Sequence, residues 1–133
     1  MNAGSSHEMT YELSQRFYFE AAHSLNRKLE TEASRRVHGH TYHARISVTK
    51  SPDPGTWMVV DVAHLRDAAA QLKAALDHQF LDDVPGLAAP TLEGLCAFIA
   101  DKLKASALPV TSVEVSREAA GDSCLLTLAT PLR

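Results

Sequence analysis

The stretch Val37-His38-Gly39-His40-Thr41-Tyr42 carries two histidines one residue apart, at the start of a segment with the composition of a β-strand. Because successive side chains on a strand point to opposite faces, His38 and His40 are predicted to share a face. Upstream, residues 17–23 have the pattern of an earlier strand that ends at His23. If the two strands pair, His23 brings a third imidazole to that face. Three neutral imidazoles without a fourth protein ligand are typical of a catalytic zinc site, and the alternative is a strand whose histidines simply face water.

Length and composition limit the class of protein. A chain of 133 residues, with 45% hydrophobic and 22% charged residues, suits one compact globular domain. A net charge of −3 gives no general case for binding nucleic acid or an anionic membrane surface. The polar start has no apolar signal region, and no apolar run approaches the roughly 18 residues that span a bilayer. Cys96 and Cys124 form neither a disulfide framework nor a C-x-x-C metal motif. We therefore expect a reduced, cytoplasmic protein with neither nucleic-acid nor membrane partners.

The order of the predicted elements favours an α+β fold. We expect a flexible lead-in at 1–9 and a single domain at 10–133. The predicted elements are strands at 11–23, 38–50 and 57–60, helices that follow N-caps at Asp61 and Thr91, and strands at 110–117 and 123–130. The charged residues 26–36 between the first two strands form a loop too long and polar for a tight turn. Strands and helices in runs indicate an antiparallel sheet of four to five strands with two helices packed on one face. The other face then needs cover, which self-association would provide.

Six short motifs, in this order, resemble the 6-pyruvoyl-tetrahydropterin synthase and 6-carboxy-tetrahydropterin synthase family. They are residues 19–23, 38–42, 58–61, 76–82, 90–93 and 117–118. The resemblance runs from about Phe17 to Glu118, most of the chain. It implies the tunnelling fold, in which subunits join their sheets into a barrel as a trimer or hexamer. It also implies a lyase that processes the side chain of the pterin triphosphate 7,8-dihydroneopterin triphosphate, with Zn²⁺ as cofactor.

The same resemblance implies roles for particular residues. The zinc ligands correspond to His23, His38 and His40. Asp77 and His78 correspond to a pair that transfers protons, which the family supplies across a subunit interface.

The family's substrate contacts map onto two further places in the chain. Glu118 corresponds to the carboxylate that anchors the pterin ring, and Thr91 and Glu93 match a substrate-binding Thr-x-Glu at the start of the second helix. By contrast, His43 has the opposite strand parity from His38 and His40, so we expect it to face away from the metal.

The catalytic cysteine of the family has no counterpart at its usual places. The bacterial 6-carboxy type places it four residues before the first histidine of His-x-His, where this chain has Ser34, and the mammalian type six residues before, where this chain has Glu32. An aldolase-like branch uses a glutamate three residues before that histidine, where this chain has Arg35. A hydroxyl is a far weaker acid than a thiol of pKa about 8.5, so Ser34 cannot simply replace it.

Several hypotheses about function remain open at this point. The leading one is an enzyme of the 6-carboxy type, on the route to 7-deazaguanine and queuosine precursors, with the 6-pyruvoyl type as the next choice. Glu32 acting as the base would give an aldolase-like cleavage of the pterin side chain. A catalytically silent zinc- and pterin-binding module is the alternative from another class, and a metal-free scaffold is a more remote one.

Overall fold

The computed structural model describes residues 9–24 and 36–132. Most of the predicted lead-in at 1–9 and of the predicted loop at 26–36 lies outside the described residues. Glu32 and Ser34 lie outside them too, so the hypotheses that concern these two side chains stay predictions.

The described residues form four strands and two α-helices, in the predicted α+β arrangement. The strands are β1 (Tyr11–His23), β2 (His38–Lys50), β3 (Ser112–Arg117) and β4 (Asp122–Thr127), and the helices are α1 (Val62–Leu76) and α2 (Leu92–Leu103). Short 3-10 turns lie at Leu81–Asp83 and Lys104–Ser106. No helix in the described part of the chain is long and apolar enough to cross a membrane.

The strands form one antiparallel sheet in the order β1-β2-β3-β4. One face carries buried side chains such as Phe19, Tyr42 and Ile46, which pack with the inner faces of both helices. On the other face, polar and half-exposed side chains alternate with them, and Tyr18 is exposed. The alternation predicted from the sequence therefore decides which face of the sheet meets the helices.

The predicted third strand at 57–60 is wrong. These residues form no strand, because turn chemistry prevails over the β-favouring residues Trp57, Val59 and Val60. Asp53 accepts backbone hydrogen bonds from Gly55 and Thr56 through its side chain, and Trp57 N–H donates to the Asp53 carbonyl at 2.7 Å. Trp57 has a φ of +58°, which no regular strand allows. The two valines still pack, half-buried, against the core.

Both helices begin where capping residues were expected. The Asp61 carboxylate accepts a hydrogen bond from Ala63 N–H at 2.9 Å, and the Thr91 hydroxyl accepts one from Gly94 N–H at 3.0 Å. The two later strands are shorter than predicted, since pairing is confined to 112–117 and 122–127.

The loops at the ends of the helices lie against the histidine-bearing end of β1. After α1, His78 N–H donates to the Glu20 carbonyl at 2.6 Å, and Ala22 N–H donates to the Gln79 carbonyl at 3.0 Å. Before α2, Pro90 lies beside His23. The helices thus bring two loops to one end of the sheet.

We predict that Leu95→Ala destabilises the protein by about 2–5 kcal/mol, because Leu95 is fully buried in the core. Arg66→Ala is the control, since Arg66 is exposed on α1 and its loss should cost within about 0.5 kcal/mol. Urea unfolding followed by circular dichroism measures both values. Equal losses in the two variants would contradict this assignment of the core.

Candidate active site

Three histidines converge at the end of the β1–β2 pair. In the antiparallel register His23 lies opposite His38, and His40 follows two residues along β2 on the same face. Their ligand atoms all lie within 4.8 Å of one another. The Nε2 atom of His23 lies 2.9 Å from that of His38 and 3.1 Å from that of His40. This group, the histidine triad, could hold a metal ion.

Backbone carbonyls fix the tautomers of two of these rings. His23 Nδ1 donates to the Pro90 carbonyl at 2.8 Å, and His38 Nδ1 donates to the Arg36 carbonyl at 2.7 Å. Since a carbonyl only accepts, each Nδ1 carries the proton and each neutral Nε2 carries a lone pair. Two lone pairs 2.9 Å apart do not make a hydrogen bond, but a cation between them is bound by both.

The surroundings of the triad disfavour protonation of two of its rings. Burial lowers the pKa of His23 below its usual 6.5. Burial, with a contribution from the Arg117 guanidinium, lowers the pKa of His40 to about 4. Because both shifts disfavour the imidazolium form, His23 and His40 stay neutral at pH 7, which is the form of histidine that binds zinc.

His23 is held in place by its surroundings. Tyr42 is buried, its ring stacks on Phe19 with the centroids 5.0 Å apart, and its hydroxyl oxygen lies 3.3 Å from His23 Nδ1. Burial raises the pKa of Tyr42 to about 12, so the phenol stays protonated. Ser24 follows His23 directly. The Asp82 carboxylate accepts hydrogen bonds from the backbone N–H of Ser24 at 3.1 Å and from the Ser24 hydroxyl at 2.6 Å. These contacts support a preorganised ligand set.

Sequence reasoning missed Arg117, which lies beside the triad. Its Nη1 lies 3.2 Å from His40 Nε2, and its Nη2 forms an ion pair with Asp122. The side chain is 17% exposed. Strand alternation could have identified it, because Arg117 shares the parity of the buried residues Val113 and Val115.

Asp77 caps the C-terminal end of α1, and His78 follows it. Asp77 accepts a hydrogen bond from Glu20 N–H at 2.9 Å, which lowers its pKa, and the neighbouring His78 and Lys73 lower it further. His78 Nε2 lies 3.6 Å from the second carboxylate oxygen, and the side chain of His78 is 78% exposed. An open groove of about 480 Å³ is lined by both His78 and His40. The role of this pair in proton transfer stays a prediction.

The three predicted substrate-binding residues separate into two groups. Thr91 and Glu93 line a cavity of about 200 Å³. The same cavity is lined by His23 of the triad and by its neighbours Tyr42 and Arg117. Glu118 lies on the opposite face of the sheet, 62% exposed, with its carboxylate 3.6 Å from His43 Nε2. Within one chain, therefore, Glu118 does not share the cavity of the triad, and its anchoring role stays a prediction.

Neither cysteine occupies these cavities. Cys96 is buried in α2, where its thiol donates to the Cys124 carbonyl at 3.4 Å. Burial raises the pKa of Cys96 to about 12, and the nearby Cys124 thiol adds to the shift. A thiol with so high a pKa is a poor proton acceptor at pH 7.

The comparison with known proteins decides the family. The sequence matches the family model for 6-pyruvoyl tetrahydropterin synthase over residues 12–127. The chain belongs to the 6-pyruvoyl tetrahydropterin synthase family.

Relatives within this family carry two different names. The chain is 39% identical over 105 residues to a protein of Synechocystis sp. named 6-carboxy-5,6,7,8-tetrahydropterin synthase. The matched region covers 74% of this chain and 80% of that protein. It is 33% identical over 122 residues to a Pongo abelii protein named 6-pyruvoyl tetrahydrobiopterin synthase, with 81% and 83% covered. The fold resembles that of Caenorhabditis elegans 6-pyruvoyl tetrahydropterin synthase, with a TM-score of 0.76 at 20% identity over 91% of this chain and 97% of that one. That likeness confirms the predicted α+β fold.

We predict that the metal-free protein loses stability as the pH falls from about 6.5 to about 4. Folded His40 has its pKa lowered to about 4, whereas an unfolded histidine takes up its proton near 6.5, so the unfolded state binds more protons across this window. The free energy of unfolding of chelator-treated protein at several pH values measures the effect.

Two variants isolate the contribution of His40 to that pH dependence. His40→Gln should flatten the decline in part, because His23 also has a lowered pKa. His64→Gln, at an exposed position of α1, should leave the decline unchanged. The same slope in all three proteins would show that His40 is not held neutral by the fold.

Proposed function

We propose that this chain is a zinc-dependent lyase that processes the side chain of 7,8-dihydroneopterin triphosphate, of the 6-carboxy-tetrahydropterin synthase type. The observation that carries this proposal is the convergence of three histidine Nε2 atoms in a member of this family. The relative with 39% identity, named for the 6-carboxy activity, supports that type over the 6-pyruvoyl type.

In this proposal His23, His38 and His40 hold the zinc ion. When bound, zinc polarises hydroxyl groups of the substrate side chain and makes the neighbouring C–H bonds more acidic. The carbonyls of Pro90 and Arg36 keep two of the three rings in the tautomer that presents Nε2 to the site.

Asp77 and His78 are the proposed proton-transfer pair. The Glu20 N–H group holds the Asp77 carboxylate ionised and in place, so that it can orient His78 and stabilise its imidazolium form. An imidazole is suited to accept and return a proton near neutral pH. Because His78 is exposed, its imidazole is free to face the site of a neighbouring subunit. The pair would then act across a subunit interface.

The pterin ring requires a carboxylate that accepts from its 2-amino group and its N3–H. Glu93 and Thr91 line the cavity beside the triad. Glu118 faces the uncovered side of the sheet, so it reaches a ring only if a second subunit covers that face. We therefore propose that the 10–133 domain associates with copies of itself, as a trimer or hexamer, and that this association completes the site.

A zinc- and pterin-binding module without turnover is the second candidate. It is favoured by Ser34 and Glu32 at the places of the family's cysteine, and by the buried, high-pKa Cys96. In this candidate the histidine triad would hold zinc for binding and structure alone.

Product analysis after zinc-loaded protein is incubated with 7,8-dihydroneopterin triphosphate tests the proposal. We expect a 6-carboxy-tetrahydropterin product. A 6-pyruvoyl product would assign the other activity of the family, and a 6-hydroxymethyl product would assign the aldolase-like cleavage. No product from protein that binds zinc and pterin would establish the binding module instead.

Variants in the same assay test the proposed residues. His78→Gln and Asp77→Asn should lower turnover by about 10²–10⁴-fold with zinc content unchanged, as expected for loss of acid–base catalysis. Glu32→Ala and Ser34→Ala identify which of the two, if either, replaces the thiol. His64→Gln is the histidine control, and a loss of turnover in it equal to that in His78→Gln would remove the assignment.

A further inference from the structure

We propose that Arg117 makes the histidine triad selective for a ligand with an anionic oxygen, specifically a carboxylate. The inference rests on the proposed metal site and deepens the proposed function. It assigns a role in ligand selection to a residue for which neither the motif at 117–118 nor the relatives' names imply one.

The first step in the argument is a competition for one lone pair. Arg117 Nη1 lies 3.2 Å from His40 Nε2, the atom that converges with the other two ligand atoms. A neutral imidazole nitrogen has one lone pair, which cannot both accept from a guanidinium and bind a metal ion. Metal binding therefore releases an N–H donor of Arg117 directly beside the triad.

The second step is that Arg117 is held where it is. Arg117 and Asp122 pair directly in the β3–β4 register, and their side chains form an ion pair through Nη2. The Asp122 carboxylate offsets the repulsion between the guanidinium and a nearby metal ion. The side chain is mostly buried, with 17% of its surface exposed.

The third step is that Arg117 has donor capacity to spare. Its Nε is buried and has no hydrogen-bond partner among residues 9–24 and 36–132. Nε–H shares its edge of the guanidinium with Nη2, whereas Nη1 faces the triad, so the released Nη1 donor is the one that a ligand at the metal would meet. A buried donor without an acceptor is costly, which favours a ligand that supplies an acceptor.

A carboxylate matches these features better than a neutral oxygen. Guanidinium groups bind carboxylates through charge-assisted hydrogen bonds of defined geometry. Arg117 lines the same cavity as His23 and Glu93, and Glu93 is exposed, so water screens its repulsion of an anion. A pterin with a carboxylate at C6 would give the released Nη1 donor of Arg117 an anionic acceptor, whereas a diketone side chain would offer it only a neutral oxygen. Arg117 would thereby bind a C6 carboxylate beside the metal more tightly than a neutral side chain.

The test uses full-length protein loaded with Co²⁺, whose visible spectrum changes when an added ligand reaches the metal. Acetate is the anionic probe and propane-1,2-diol the neutral one. The variants are Arg117→Gln, Arg117→Lys and the control Arg45→Gln. Arg45 is the matched arginine, since it also pairs with an acid, Glu114, but on the opposite face of the sheet.

We expect acetate to bind Arg117→Gln at least about tenfold more weakly than the unaltered protein, as for loss of a charge-assisted hydrogen bond. Arg117→Lys should lie between the two, and Arg45→Gln should match the unaltered protein. Diol binding should not change. Co²⁺ should bind Arg117→Gln as tightly as before or more tightly, because a nearby positive charge and a competitor for His40 are gone.

Each other outcome overturns the inference in a recognisable way. Equal acetate affinity in Arg117→Gln and the unaltered protein removes the proposed selectivity while the metal site stands. Parallel losses of Co²⁺ affinity, acetate affinity and thermal stability in that variant would mean that Arg117 only supports the fold. If the unaltered protein fails to bind one Co²⁺ per chain, the metal centre of the proposed function fails as well.

Discussion

The antiparallel register between β1 and β2 is the constraint on which the site depends. It places His23 opposite His38 and turns both rings, with His40, towards the helix side of the sheet. Because side chains alternate along a strand, a slip of one residue in one strand would move its histidines to the other face. On the same face, the next pair after Ala21 and His40 is the buried aromatic pair Phe19 and Tyr42, whose packing in the core stabilises this register.

Two backbone carbonyls orient rings of the histidine triad, one from a distant part of the chain and one from the residues just before β2. Pro90 precedes the capped start of α2, so the position of that helix controls the orientation of the His23 ring. Arg36 lies just before β2, and its carbonyl orients the His38 ring. Since each carbonyl also fixes a tautomer, the helix packing that stabilises the fold prepares the lone pairs for a metal ion. Stability and ligand geometry therefore share the same contacts.

Much of this arrangement could be predicted from local patterns. Alternation identified β1 and β2, and the capping residues Asp61 and Thr91 marked both helix starts, because these signals depend only on near neighbours in the sequence. The short strand expected at Trp57 did not form, since the Asp53 turn outweighed β-propensity there. The convergence of His23 with the His-x-His pair followed from the pairing of two adjacent strands.

Other features of the site depend on tertiary contacts that no local pattern specifies. The hydrogen bond between His23 and Pro90 joins residues 67 positions apart. The contact between Arg117 and His40 spans 77 positions. The motif at 117–118 implies a role for Glu118 alone, although strand parity places its neighbour Arg117 on the opposite face, which is the face of the triad.

Zinc K-edge X-ray absorption of the loaded protein tests the central claim, that three imidazole nitrogens converge on one metal ion. The account predicts three histidine ligands with Zn–N distances of about 2.0–2.1 Å and one further light-atom ligand. In His43→Gln the spectrum should be unchanged, and in His40→Gln the number of imidazole ligands should fall. A first shell made of oxygen atoms, or a spectrum that is indifferent to His40, would contradict it.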